Sequence, residues 1–140
     1  MRVLSVCSPT VRVLVYRALM RNDNTIDEFN DSYYAHRSLQ SDPAYDLLIV
    51  TREVPTYRST IIGGGLLASS LYDKFFLDTC VDLMGNRQMP PVIILDTLQS
   101  TPADPSKYPG WNVTVVPWPT TEDDLLAVIR RIQNEIGQGK

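Results

Sequence analysis

Apolar residues in this chain gather in short unbroken runs separated by stretches of helical spacing. Met1 to Val6, Leu47 to Val50, Val92 to Leu95 and Asn112 to Val116 are rich in Val, Leu and Ile with little alternation. A strand that faces solvent on one side alternates, whereas a strand covered on both sides does not. These four runs therefore predict buried strands of a parallel sheet, and Thr25 to Phe29 adds a weaker one. Between the first two strands, Ser8-Pro9 reads as an N-cap followed by proline at the first helical position, and Val11, Leu14, Val15, Ala18 and Leu19 form one helical face. Asn22 to Asn24 ends that helix, Asp31 or Ser32 caps a short helix through Leu39, and Asp42-Pro43 marks a turn. After a loop from Thr51 to Gly65, LLASSLYDKFFLDTCVDLM has helical spacing and stops at Gly85, before Pro90-Pro91 breaks the chain. The last helix has the sharpest pattern. Thr120 or Thr121 caps it, Glu122, Asp123 and Asp124 suit its positive end, Leu125, Ile129, Ile132 and Ile136 line one face, and Gly137 ends it.

Strands alternating with helices predict an α/β fold, a doubly wound parallel sheet joined by right-handed crossovers. For five strands the expectation is the flavodoxin-like order 2-1-3-4-5, whose functional crevice lies beside the carboxyl ends of strands one and three. Val6, Cys7 and Thr51 occupy those ends. The crossover between strands four and five holds Pro102, Pro105 and Pro109. An interior proline costs a helix about 3 kcal/mol, so this helix is expected to be largely replaced by loop or reduced to one turn.

The 140 residues suit one domain spanning 1–140, either alone or as the N-terminal part of a longer regulator. With 13 basic against 16 acidic residues and a net charge of −3, the chain has no basic field to neutralise nucleic-acid phosphates. No apolar stretch reaches the roughly 18 residues of a membrane span and no secretion leader is visible, so a cytoplasmic protein is expected. Cys7 and Cys80 both fall in apolar segments and read as reduced, packed thiols, and no metal-ligand spacing is present.

VCSPTVRVLVYRAL resembles the first strand and helix of response-regulator receiver domains (CheY-like), in which two acids and a spacer precede a proline or serine and T-V-R. YDLLIVTREVP resembles their phosphoacceptor strand, PPVIILDT their fourth strand, and WPTTEDDLLAVIRRI the Lys-Pro end of the fifth strand with its helix. The resemblance covers most of the chain and implies a signalling module. It also implies a set of roles that this chain does not fill. A receiver needs an aspartate nucleophile after strand three, an acid pair holding Mg²⁺ after strand one, a hydroxyl after strand four and a lysine after strand five, which together place charge around the transferred phosphoryl group. Matched by position, the acid pair falls on Val6 and Cys7, the acceptor on Thr51, the hydroxyl on Asp96 or Thr97, and the lysine on Trp118 before Pro119. Valine is no metal ligand, a thiol is too soft for Mg²⁺, and threonine is a poor acyl-phosphate acceptor. The resemblance is thus to a degenerate pseudo-receiver lacking the phosphoacceptor aspartate.

The leading expectation is a non-catalytic, phosphorylation-independent module that binds another signalling protein or itself as a homodimer, without cofactor, metal, nucleic acid or membrane. Trp111, Trp118 and Pro119 around the fifth strand are its candidate interface, Trp118 being equally a core plug or an anchor. The alternative is a flavodoxin-like enzyme or ligand-binding domain using Cys7 or the Gly63-Gly64-Gly65 loop. That glycine run lacks the spacing of either nucleotide fingerprint. Glu53 with Asp96 is a weaker candidate for a residual cation site, His36 reads as exposed, and Arg12, Arg17 and Arg21 lie outside the apolar stripe of the first helix as a solvated face or a match for an acidic partner.

Overall fold

The computed structural model describes residues 1–21, 23–29, 35, 37–39, 45–51, 77, 80, 89–96 and 103–138. Five parallel strands form one sheet: β1 (Arg2–Val6), β2 (Thr25–Phe29), β3 (Leu47–Thr51), β4 (Val92–Asp96) and β5 (Val113–Pro117), in the order β2-β1-β3-β4-β5. Two long helices are described, α1 (Pro9–Met20) and α2 (Glu122–Gln138). This is the flavodoxin-like arrangement expected from the apolar runs, with strand ends within a residue of those predicted.

Side chains along a strand alternate between faces, and here both faces are covered. Leu4, Val6, Leu48, Val50, Val92 and Ile94 join one core cluster with Ala35, Leu39, Leu77 and Cys80. Val3, Cys7, Leu47, Ile49, Ile93 and Leu95 join the other, with Val11, Val15, Ala18 and Leu19 of α1 and Leu125, Ile129 and Ile132 of α2. All five residues of β3 are buried, which is why its sequence shows no alternation. The two cysteines are free, buried and on opposite faces of the sheet, and burial pushes the Cys80 thiol well above the ordinary thiol range.

The helix ends differ in detail from the sequence expectation. Ser8 occupies the N-cap position of α1 and Pro9 its first turn, but the serine side chain makes no capping hydrogen bond. At the other end Asn24 donates from Nδ2 to the Leu19 carbonyl at 2.9 Å, satisfying one of the carbonyls that a helix terminus leaves open. In α2 Thr121 is the cap, its Oγ1 accepting from the Asp124 amide at 3.1 Å. α2 runs through Gly137 to Gln138 rather than ending at the glycine. A terminal glycine lowers helix propensity by only about 1 kcal/mol, which the last turn absorbs.

Polar groups fasten the amino edge of the sheet. Asp27 Oδ2 accepts from Arg2 at 3.0 Å and from the Tyr45 hydroxyl at 2.6 Å, and the Arg2 guanidinium lies 4.7 Å from the centre of the Tyr45 ring. In the described part of the β4 to β5 crossover there is one 3₁₀ turn, Pro105–Lys107, with Pro105 in its first turn and Asp104 capping it. Gly110, at φ 85°, then turns the chain towards β5. Pro102 lies outside the described residues.

Candidate functional site

The carboxyl ends of β1, β3 and β4 sit side by side: Val6 pairs with Val50, and Thr51 with Leu95. Val6, Cys7 and Thr51 are each fully buried. Cys7 Sγ accepts from the Ser5 hydroxyl at 3.4 Å and donates to the Ile49 carbonyl at 3.8 Å, so the thiol points into the packed layer beneath α1 rather than into a crevice.

Thr51 closes the gap between the two strand tips. Its Oγ1 accepts from the Ser8 amide at 2.9 Å, a buried hydrogen bond linking residues 43 positions apart. Ser8 is the residue from which α1 springs, and its carbonyl accepts the Val11 and Arg12 amides at 3.1 and 3.0 Å. The threonine thus clamps the start of α1 onto β3. Its side-chain oxygen is an acceptor enclosed in the structure. Sequence reasoning identified Thr51 but missed the Ser8 amide. The only available signal was the Ser8-Pro9 break, which fixes where the helix starts but not what its first amide meets.

Asp96 ends β4 half-buried, and its Oδ2 accepts from the Ala103 amide at 3.0 Å. Its backbone carbonyl accepts from the Trp118 amide at 3.2 Å, continuing the β4–β5 ladder beyond the Asp96–Pro117 pair. The carboxylate therefore ties Ala103 to the end of β4. Asp96 is the one acidic side chain among the described residues placed at these tips, and the described residues contain no group of three or more His, Cys, Asp or Glu able to hold a metal ion.

Trp118 and Pro119 follow β5, joined by a cis peptide bond. Trp118 is half-buried and packs against the core layer under α1 and α2. Beside it lies an open groove of about 470 Å³ lined by Val116, Pro117, Pro119, the Thr120–Thr121 link and Asp124 and Val128 of α2. Trp111 is not brought to this place. It precedes β5, at the opposite end of a strand about 16 Å long, and packs on the other face of the sheet, stacked on Tyr108 with ring centroids 5.6 Å apart. Thr97, Glu53, His36, Gly63, Gly64 and Gly65 lie outside the described residues.

No helix among the described residues is long and apolar enough to cross a membrane. No family model matches the chain. No curated protein matches it either. Solved structures do match along nearly its whole length. The N-terminal domain of a response regulator/sensory box/GGDEF 3-domain protein from Carboxydothermus hydrogenoformans is similar with a TM-score of 0.69 and 15% identity, over 99% of this chain and 98% of that one. A response regulator receiver domain protein from Clostridium thermocellum gives 0.66 and 16%, over 99% and 98%. The chemotaxis response regulator CheY4 of Vibrio cholerae gives 0.60 and 18%, over 94% and 97%. At such low identity the likeness speaks for architecture, and the architecture of this chain is the flavodoxin-like fold of response-regulator receiver domains.

Proposed function

We propose that this chain is a pseudo-receiver: a non-catalytic, cytoplasmic signalling domain that binds another protein, or a second copy of itself, without being phosphorylated. The observation that carries the reading is the Thr51 hydroxyl, fully buried and accepting from the Ser8 amide where a receiver needs a free carboxylate nucleophile. The surrounding roles agree with it. Val6 gives no metal ligand, Cys7 is packed in the core, and Trp118 stands in place of the lysine that would neutralise the phosphoryl group. Cys7 is also poorly suited to the enzymatic alternative, because a nucleophilic cysteine needs an accessible, electropositive setting. Incubation with acetyl phosphate and Mg²⁺ is expected to leave the intact mass of the protein unchanged. An adduct labile to base would contradict the reading.

A domain without a phosphorylation switch presents its binding face at all times, and Trp118 with Pro119, beside the open groove at the end of β5, is our candidate for part of it. Because Trp118 is only half-buried, its truncation removes about half of the 3–5 kcal/mol typical of a core aromatic. Trp118→Ala is therefore expected to cost about 2 kcal/mol in chemical denaturation while weakening self-association or capture of a protein partner about tenfold or more, as an interface anchor does. A larger loss of stability with binding intact would make Trp118 a core plug alone.

A further inference from the structure

We propose that the outer face of α1 is a docking seam for one acidic amphipathic helix of another protein. Val13, Tyr16 and Met20 are 55%, 46% and 51% exposed, the large apolar side chains that the described surface leaves open. They lie at i, i+3 and i+7, on the side of α1 opposite the buried Val11, Val15 and Ala18. Helix propensity does not call for Val13 and Tyr16, since a β-branched or aromatic residue on an exposed helix face is a poorer helix former than Lys, Glu or Arg, and an exposed Met20 adds no core burial. Their spacing is that of a heptad seam, with Val13 and Met20 at a positions and Tyr16 at d, the row of knobs that a single facing helix receives.

The same register puts Arg12 at g and Arg17 at e, the two positions whose charges select a coiled-coil partner. Arg17 is exposed and has no ion pair among the described residues, and Arg12 shares Glu28 at 3.6 Å while remaining about one-third exposed. Arg21 takes no part, being engaged by Asp123 at 2.7 Å. A second copy does not fit the seam. Pairing α1 with itself sets Arg12 against Arg17 in the parallel sense, and each against its own counterpart in the antiparallel sense. A partner with Glu or Asp at e and g meets both arginines favourably. The apolar patch is on the order of 300 Å², well short of the roughly 800 Å² per partner of a standard assembly, and suits a single helix bound reversibly. This inference rests on the domain acting as a binding module and gives that module a second surface and a partner chemistry.

The probe is a fluorescently labelled helical peptide of about three heptads, with Leu at a and d and Glu at every e and g; the glutamates also keep it from pairing with itself. Its anisotropy should rise on titration with the full chain, and added salt should weaken the binding. The same peptide with Lys at e and g should bind about tenfold more weakly or worse, and Arg17→Glu should narrow or invert that preference. Tyr16→Ala and Met20→Ala, both at exposed sites, should weaken both peptides without changing the thermal midpoint. Equal binding of the two peptides, no binding of the acidic one, or indifference to Arg17→Glu together with Tyr16→Ala would overturn the seam. Failure of the seam with no phosphoryl adduct on the chain leaves the pseudo-receiver reading standing, whereas an adduct removes that reading whatever the peptides do.

Discussion

Val6→Asp is expected to cost about 4 kcal/mol or more and to lower the thermal midpoint by about 12 °C or more, close to loss of the fold for a domain of ordinary stability. Val6 is fully buried in the cluster that includes Leu48, Val50 and Ile94, so the change removes an apolar side chain worth about 1.5–3 kcal/mol of burial and installs a carboxylate with little access to water. In a working receiver an acid after strand one is balanced by a metal; here the neighbouring positions offer a thiol and a threonine hydroxyl that is already an acceptor. The pH dependence identifies the cause. Burial raises the folded-state pKa of the introduced carboxyl above its unfolded value, so the charge penalty is absent below the unfolded pKa and grows as pH rises towards the folded pKa. Measured against the parent at each pH, Val6→Asp should be more damaging at pH 7 than near pH 4. A mild cost independent of pH would mean that a cation or water balances this strand tip.

Thr51 gives the second large effect, through a hydrogen bond rather than a charge alone. Thr51→Val keeps the shape and deletes the acceptor, leaving the buried Ser8 amide without a partner at a cost of about 1–3 kcal/mol. Thr51→Ser retains the acceptor and should cost less than Thr51→Val. Thr51→Asp supplies an acceptor but buries a charge, and should lie at or beyond the valine variant. On the proposed assignment, in which Val6, Cys7 and Trp118 take the places of a receiver's acid pair and lysine, it should also remain unlabelled by acetyl phosphate. Stoichiometric labelling of the single variant would show that these roles are wrongly assigned. A stability order with valine above serine would show that the clamp between β3 and α1 contributes nothing.

The strands were legible because burial on both faces erases alternation: β3 is buried at all five positions and reads as LLIVT. β2 was the faintest, and it is the edge strand whose residues are half-buried or exposed throughout. The three prolines correctly announced a crossover poor in helix over residues 103–112, where one 3₁₀ turn is found. What the sequence could not convey was contact between distant residues. The Ser8–Thr51 bond depends on how the ends of the neighbouring strands β1 and β3 line up, and the opposite placement of Trp111 and Trp118 depends on which face each meets at the ends of β5. A different obstacle concealed the outer stripe of α1. Val13, Tyr16 and Met20 form a second apolar row on a helix whose first row, Val11 to Leu19, already accounts for the core, and a search for one buried face stops there.

The most direct test of the central claim is a backbone amide spectrum of the native protein titrated with beryllofluoride and Mg²⁺, a mimic of the phosphoryl group held by a receiver. The pseudo-receiver account predicts that the resonances of Val6, Ser8, Thr51 and Asp96 do not move beyond the effect of Mg²⁺ alone. A saturable shift centred on those residues would contradict it, by showing that the end of β3 still binds the phosphoryl mimic.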